Sequence, residues 1–255
     1  MKINRLPTIR GLVWIQQGYS LFMHNPLLWL AISGANFAIF ALLAQLGDVG
    51  AVASVLLSPV LVAGWLIGCH ALAHDQALKI EHLWAGFRQN LPRLLSLGGM
   101  VLLTLYLISS LGGDALSNIP ENWKPTDDPE ILLKLLGEDG LARLLKILLL
   151  ISIPMIFLGL SMQFAPMLIV FNDLSTPAAL QVSVRAFLVN IPPMTIYSLI
   201  LMFGYAVLIQ LPPLLHIAAM IVVSPIFIGS AYAAYYNIFP KETAPPAPVL
   251  DTPQL

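Results

Sequence analysis

Six long apolar runs recur along the chain, separated by short polar segments. A helix needs about 20 predominantly apolar residues to cross the hydrocarbon layer of a membrane. Leu27–Leu46, Ala51–Leu72, Leu94–Leu111, Leu144–Val170, Pro193–Leu211 and Leu214–Tyr236 are each near that length. None contains Asp, Glu, Lys or Arg, apart from Lys146 at the lip of the fourth. The pattern predicts an all-α polytopic membrane bundle of six transmembrane helices. Gly47–Gly50 and Pro212–Pro213 read as tight turns, so spans 1 and 2, and spans 5 and 6, form hairpins. A longer acidic loop joins spans 3 and 4. The first run is too long for a secretory h-region and no small-residue cleavage site follows it, so it reads as a retained span.

The polar punctuation repeats three times. Phe22, Phe87 and Phe187 each stand three residues before an asparagine: Asn25, Asn90 and Asn190. Tyr19, Trp84 and Val184 stand six before it, and Ile15, Ile80 and Leu180 ten before it. Offsets of three, six and ten keep one side of a helix apolar. Arg10, Gln17, Lys79, Arg88, Gln181 and Arg185 supply polar surface. Such helices tend to lie in the membrane interface. Pro26, Pro92 and Pro192 follow the asparagines, so each Asn is expected to end a surface helix and cap the next span.

The second span of each unit carries Pro59 before Gly64, Pro154 before Gly159, or Pro225 before Gly229. A mid-helix proline removes a hydrogen bond and kinks the helix, and a glycine admits a close backbone neighbour. The chain is therefore expected to hold three tandem, parallel units at about 7–75, 76–173 and 174–239. Each is an interfacial helix plus a transmembrane hairpin, with spans 2, 4 and 6 kinked and central about a pseudo-threefold axis. Residues 1–239 form the membrane domain, and 240–255, with Pro245-Pro246-Ala247-Pro248, reads as a disordered cytoplasmic tail.

Composition supports this reading. The chain of 255 residues is 58% hydrophobic and 10% charged, against roughly 25% charged in a soluble domain. Its net charge of −1 gives no electrostatic case for nucleic acid. The single cysteine, Cys69, excludes an internal disulfide. Lys2, Arg5, Arg10, Lys79, Arg88, Arg93, Arg185 and Lys241 fall on one set of segments, and Lys124, Lys134, Arg143 and Lys146 on the other. The bias predicts cytoplasmic termini and an external acidic loop.

These residues also resemble a known group. Trp14-x-x-x-Gly18 with Phe22-x-x-Asn25-Pro26 is similar to the opening of an uncharacterised group of proteobacterial multi-pass inner-membrane proteins. Ala85-Gly86-Phe87, Phe164-Ala165-Pro166, Ser183…Asn190 and Ala231-Tyr232-x-x-Tyr235-x-x-Ile238-Phe239 fit the same group. The resemblance spans most of residues 7–239. It implies a bacterial inner-membrane location and a six-helix layout, and no catalytic residues. The layout is more loosely similar to the membrane domain attached to some bacterial glycerophosphodiesterases, but these residues contain no phosphodiesterase domain.

Chemistry-bearing patterns are few. No G-x-S-x-G, H-E-x-x-H, Walker or dinucleotide motif occurs. His70 and His74 share a helical face, and Asp75 or His82 would complete a zinc site. With no strong ligand pattern around them, these read as polar residues at a helix end, and no cofactor is expected. Asp127-Asp128-Pro129-Glu130 has the composition of a cation site, but Asp128 before Pro129 reads better as a helix cap. The deep polar groups Asn36, Thr104, Ser152, Ser161, Gln163 and Tyr205 are neutral, so their expected role is bonding between helices. Proton-driven transport is disfavoured, since such carriers place charge at depth. The sequence thus favours a non-enzymatic membrane protein that handles or organises lipid-like molecules. The alternatives are a scaffold or assembly partner for envelope maintenance and, with less support, a membrane enzyme with a metal site.

Overall fold

The computed structural model describes residues 2–116 and 140–240. The acidic loop and the Pro-rich tail, with the readings attached to them, lie outside these residues. Helices α1 (Arg10–His24), α2 (Pro26–Ala44) and α3 (Gly47–Leu72) lead to a 3₁₀ turn (Ile80–Trp84) and the one-turn α4 (Ala85–Arg88). Then follow α5 (Leu91–Leu116), α6 (Gly140–Met162), α7 (Ala165–Asn172), α8 (Thr176–Val189), α9 (Ile191–Leu208) and α10 (Pro213–Ile238). Six of the described segments are long and apolar enough to cross a membrane, the fourth comprising α6 and α7 together. Gly47, at φ +59°, starts α3 directly, so the first hairpin turn is shorter than Gly47–Gly50.

The three asparagines stand at the junctions the repeat predicts, but their side chains do different work. Asn25 caps α2, its carboxamide oxygen accepting from the Leu28 N–H at 3.3 Å. Asn90 takes a left-handed φ of +53° and donates to the Ile169 carbonyl at 3.1 Å. Asn190 is fully buried and does not cap α9. Its side chain accepts from the Leu6 N–H and donates to the Asn4 carbonyl, both at 2.9 Å. Asn4 in turn bonds the end of α10 through Asn237 and Ile238. These bonds set the first residues of the chain beside the end of α10, on one face of the bundle.

The leading helices differ from the surface helices expected. In α1 the inward side is Gly11, Trp14, Gly18, Leu21 and Phe22, while Ile9, Leu12, Tyr19 and Met23 point outward. Gln16 and His24 are exposed beside them, so the outward side is mixed and the helix keeps an amphipathic character. One side packs on α9 and α10; the other is left to lipid. Phe22 and Tyr19, taken together in the sequence pattern, part company here. The second leader shrinks to the 3₁₀ turn and α4, with Trp84 and Ile80 exposed and Phe87 half-buried. In the third, α8, Phe187, Val184 and Leu180 are all half-buried.

Each leader packs on the hairpin that precedes it around the bundle. α1 lies on α9 and α10, the 3₁₀ turn with α4 on α2 and α3, and α8 on α5, α6 and α7. Glycine sets two of these contacts. A Cβ on Gly18 would stand 2.5 Å from the Ser230 N, and Gly229 faces Gly18 across the same contact. Gly64 is closed in by the His82 and Leu83 carbonyls. Gly159, expected to make a similar approach, has nothing within 4 Å of where its Cβ would be. The equal centrality expected of spans 2, 4 and 6 is likewise not seen. Eleven residues of α3 are buried, against eight of α10, all from Pro225 onward. α3 packs against α2, α4, α5 and α10, and α10 in turn packs against α1, α2, α3 and α9. Pro59 and Pro225 are buried within continuous helices, and Pro154 is half-buried inside α6.

Candidate functional site

The break in the fourth span falls at Gln163-Phe164, two turns beyond Pro154. Irregular backbone at membrane depth survives only where protein or a polar partner satisfies it. Ser183 of α8 supplies that partner. Its hydroxyl donates to the Leu160 carbonyl at 2.8 Å and accepts from the Phe164 N–H at 3.1 Å, so one side chain bridges the gap. Gln163 N–H returns to the Gly159 carbonyl at 3.1 Å, and Phe164 carbonyl accepts from Leu168 N–H at 3.0 Å. Pro166 sits in the first turn of α7, where its missing N–H leaves no gap. α7 is eight residues long, which puts the break about 12 Å from the end of the span at 1.5 Å per residue.

Two grooves flank this span. The first, of about 260 Å³, runs between α5 and α6 over Leu180 of α8. Its walls are Met100, Thr104, Leu107 and Ile108 on one side, and Leu150, Pro154, Phe157, Leu158, Ser161 and Met162 on the other. The hydroxyls of Thr104 and Ser161 are turned back to carbonyls of their own helices, Met100 and Phe157, so the groove presents almost nothing polar. The second, of about 300 Å³, opens between the break and α9. Gly159, Met162, Gln163, Pro166 and Met167 form one wall and Tyr197 and Leu201 the other. Val62 and Leu66 of α3 and Phe227, Ile228 and Ala231 of α10 form the floor. Met162 lines both grooves. Neither is lined by an Asp, Glu, Lys, Arg or His residue.

The polar groups around the second groove are unequal. Tyr197 OH is bonded to Ser230 at 2.8 Å, and Ser230 donates to the Phe227 carbonyl. The Gln163 carboxamide makes no hydrogen bond among the described residues. Trp14, edge-on to the Tyr197 ring at 5.7 Å, also holds its buried indole N–H without a partner among them. A bare amide transferred to an apolar environment costs about 2–7 kcal/mol depending on the reference state.

The histidines expected at the end of the second span form an aromatic cluster. His70 and His74 rings stand 4.1 Å apart. His70 Nδ1 bonds Tyr232 OH at 2.9 Å, and His74 Nδ1 bonds the His70 carbonyl at 2.8 Å. His82 Nδ1 is taken up locally by the Lys79 N–H, and Asp75 is exposed in a left-handed turn. No group of three His, Cys, Asp or Glu residues among the described residues is arranged to hold a metal. Phe171, Tyr235 and Tyr236 extend the cluster, with Tyr235 OH donating to Asn172 Oδ1 at 2.5 Å. At the same end of the fourth span, Arg93 pairs with Asp173 at 2.5 Å and donates to its carbonyl.

Several cross-helix hydrogen bonds come from residues outside the deep polar groups named from sequence. Ser33 meets Ser224 at 3.2 Å, Tyr197 meets Ser230, and Ser183 bridges the break. Of the deep polar groups named from sequence, Thr104 and Ser161 bond within their own helices. Gln163 is the one that lines a groove with its side chain unpartnered. The missed break had a local signal, since Gln163-Phe164-Ala165-Pro166 places a proline where a new helix starts.

Comparison with known proteins gives a relative and a family. A probable inner membrane protein of Burkholderia thailandensis is 28% identical over 271 aligned positions, covering 94% of each chain. No solved structure matches this chain. A model for a domain of unknown function, DUF7847, matches residues 88–254. That stretch takes in the broken fourth span, the walls of both grooves and most of the floor of the second, and over this greater part of its length the chain belongs to the DUF7847 family.

Proposed function

We propose that this protein handles or organises lipid-like molecules within the bacterial inner membrane and carries out no covalent chemistry. The observation behind this reading is the pair of uncharged, apolar grooves on either side of the broken fourth span. In a bilayer, acyl chains are what fills such surfaces, and discontinuous spans are a recurring way of building ligand sites at depth. The relative's name, a probable inner membrane protein, agrees with the membrane assigned here. The test is native mass spectrometry of the full chain released from a mild detergent. Lipid retained in a defined stoichiometry, and lost when Phe157→Trp and Leu201→Trp fill the grooves, is the expected result. A chain that sheds all lipid, and instead carries a stoichiometric protein partner in crosslinked pull-downs, would replace this reading with the scaffold.

The chain is proposed to be three parallel units with cytoplasmic termini. The rotational order of contacts, each leader on the preceding hairpin, supports the units. The excess of Lys and Arg on the face that holds residue 4 and the end of α10 supports the orientation. Reporter fusions after Asp127 and at Leu255 are expected to report outside and inside respectively; the opposite pair overturns the orientation.

A further inference from the structure

We infer that the groove between the fourth and fifth spans binds an uncharged long-chain lipid whose head carries hydroxyl or carbonyl groups, with the Gln163 carboxamide as its polar anchor. This rests on the lipid-handling reading above and names the ligand class of that site. Four observations converge on it. Gln163 lies at the break, about 12 Å inside the span, by helix rise along the eight residues of α7. Gln163 lines a groove of about 300 Å³, and its carboxamide has no hydrogen-bond partner among the described residues. The neighbouring hydroxyl, Tyr197, is committed to Ser230. No charged or imidazole side chain lines the groove.

Depth and charge select the ligand. An amide without a partner in hydrocarbon is unfavourable, so the groove favours an occupant that bonds it. An amide both donates and accepts, so an alcohol and a ketone or ester carbonyl are each complementary to it. A phosphate is not: an anionic headgroup at this depth, with no Lys or Arg to meet it, would be stranded in a low dielectric. The remaining walls, Met162, Met167, Leu201 and Phe227 among them, suit a hydrocarbon chain. Met162 also borders the cleft between α5 and α6, so the bound chain has an apolar continuation past the break.

The experiment uses the full chain in mild detergent and two photoactivatable probes with the same diazirine-bearing tail, a monoacylglycerol and a phosphatidylglycerol. Peptide mapping by mass spectrometry reads the label. The monoacylglycerol is expected to label the walls at Met162, Met167 and Leu201, and the phosphatidylglycerol to label the outer helix faces without preference for the groove. Gln163→Leu should weaken groove labelling by about tenfold, the worth of one hydrogen bond near 1.4 kcal/mol. The same variant should leave the thermal unfolding midpoint unchanged or raised, because a bare amide has been removed. Leu201→Trp, which keeps the amide and fills the groove, should abolish that labelling and guards against misfolding of the first variant. Equal groove labelling by both probes, or labelling indifferent to Gln163→Leu, overturns the inference. If phosphatidylglycerol is nonetheless retained in native mass spectra, lipid handling stands while this ligand class falls; if no lipid of any kind is retained, both fall.

Discussion

Replacing Gly18 by alanine tests whether α1 is a packed member of the bundle or a helix resting on its surface. The new methyl carbon would sit 2.5 Å from the Ser230 N and would overlap the Ile226 carbonyl oxygen. Both are backbone atoms, so no rotamer change relieves the clash, and α1 must move outward by about an ångström to restore ordinary contact. Forcing an extra methyl into a packed interface costs about 1–3 kcal/mol. The displacement also strains the Ser230–Tyr197 hydrogen bond, 2.8 Å long and buried, whose full loss adds about 0.5–1.5 kcal/mol. Against this, alanine is favoured over glycine in a helix by roughly 1 kcal/mol. The net expectation is destabilisation of about 1–3 kcal/mol. Gly34 in α2 is the control, because nothing lies within 4 Å of its would-be Cβ. Gly34→Ala has only the helix term and should be neutral or stabilising by about 0.4–1 kcal/mol. Reversible unfolding in mixed micelles, followed by tryptophan fluorescence, measures both variants against the parent. Gly18→Ala as stable as the parent, or both variants shifting together in sign and size, would refute the packed position of α1.

Two other perturbations address the break and the second leader. Ser183→Ala leaves the Leu160 carbonyl and the Phe164 N–H without their shared partner. The expected loss lies between about 0.6 kcal/mol, the average for a side-chain bond in a membrane bundle, and about 3 kcal/mol for an orphaned backbone group. It should appear as faster amide exchange confined to residues 160–168, and unchanged exchange there would disprove the bridge. His82 is held neutral in the fold, with burial the largest cause, the Lys79 charge adding to it and Glu81 opposing. Its Nδ1 accepts the Lys79 N–H at 3.1 Å, a bond the protonated ring cannot accept. With the folded value below the ordinary 6.5, the unfolded state binds the proton first. Stability should therefore fall as pH drops below about 6.5. A His82→Gln variant should show a flatter melting profile over that range; a parent profile that is already flat refutes the assignment.

The broad architecture was legible in the residues because it follows from one dominant constraint. In hydrocarbon each backbone N–H and C=O must be bonded within its own segment, so apolar runs of sufficient length become helices. That alone placed the six spans to within a few residues, and the three asparagines fall at the junctions, though only Asn25 caps the span that follows it. The break at Gln163-Phe164 was not legible beside Pro154, the more obvious helix-disrupting residue of the same span. A proline in a helix facing lipid needs no partner helix, whereas the actual gap exists only because Ser183, twenty residues away, arrives to satisfy it.

What the sequence by itself determined is therefore the count, length and boundaries of the spans, the lack of charge at depth, and the placing of the polar punctuation. These depend on neighbours within a turn or two of helix, and on the solvent the chain must match. Only the tertiary structure decided which apolar faces meet protein and which meet lipid. Phe22 and Tyr19 are both aromatic and close in sequence, yet one is buried and the other exposed. Gly64 and Gly229 are closed in by backbone, while Gly159 stands in the open. Hydrophobicity cannot separate these cases, since inside a membrane both environments are equally apolar. Shape and hydrogen bonding choose between them, and both are set by residues distant in the chain. The same holds for Gln163, one neutral polar residue among several in the sequence, which the fold alone leaves unpartnered beside a groove.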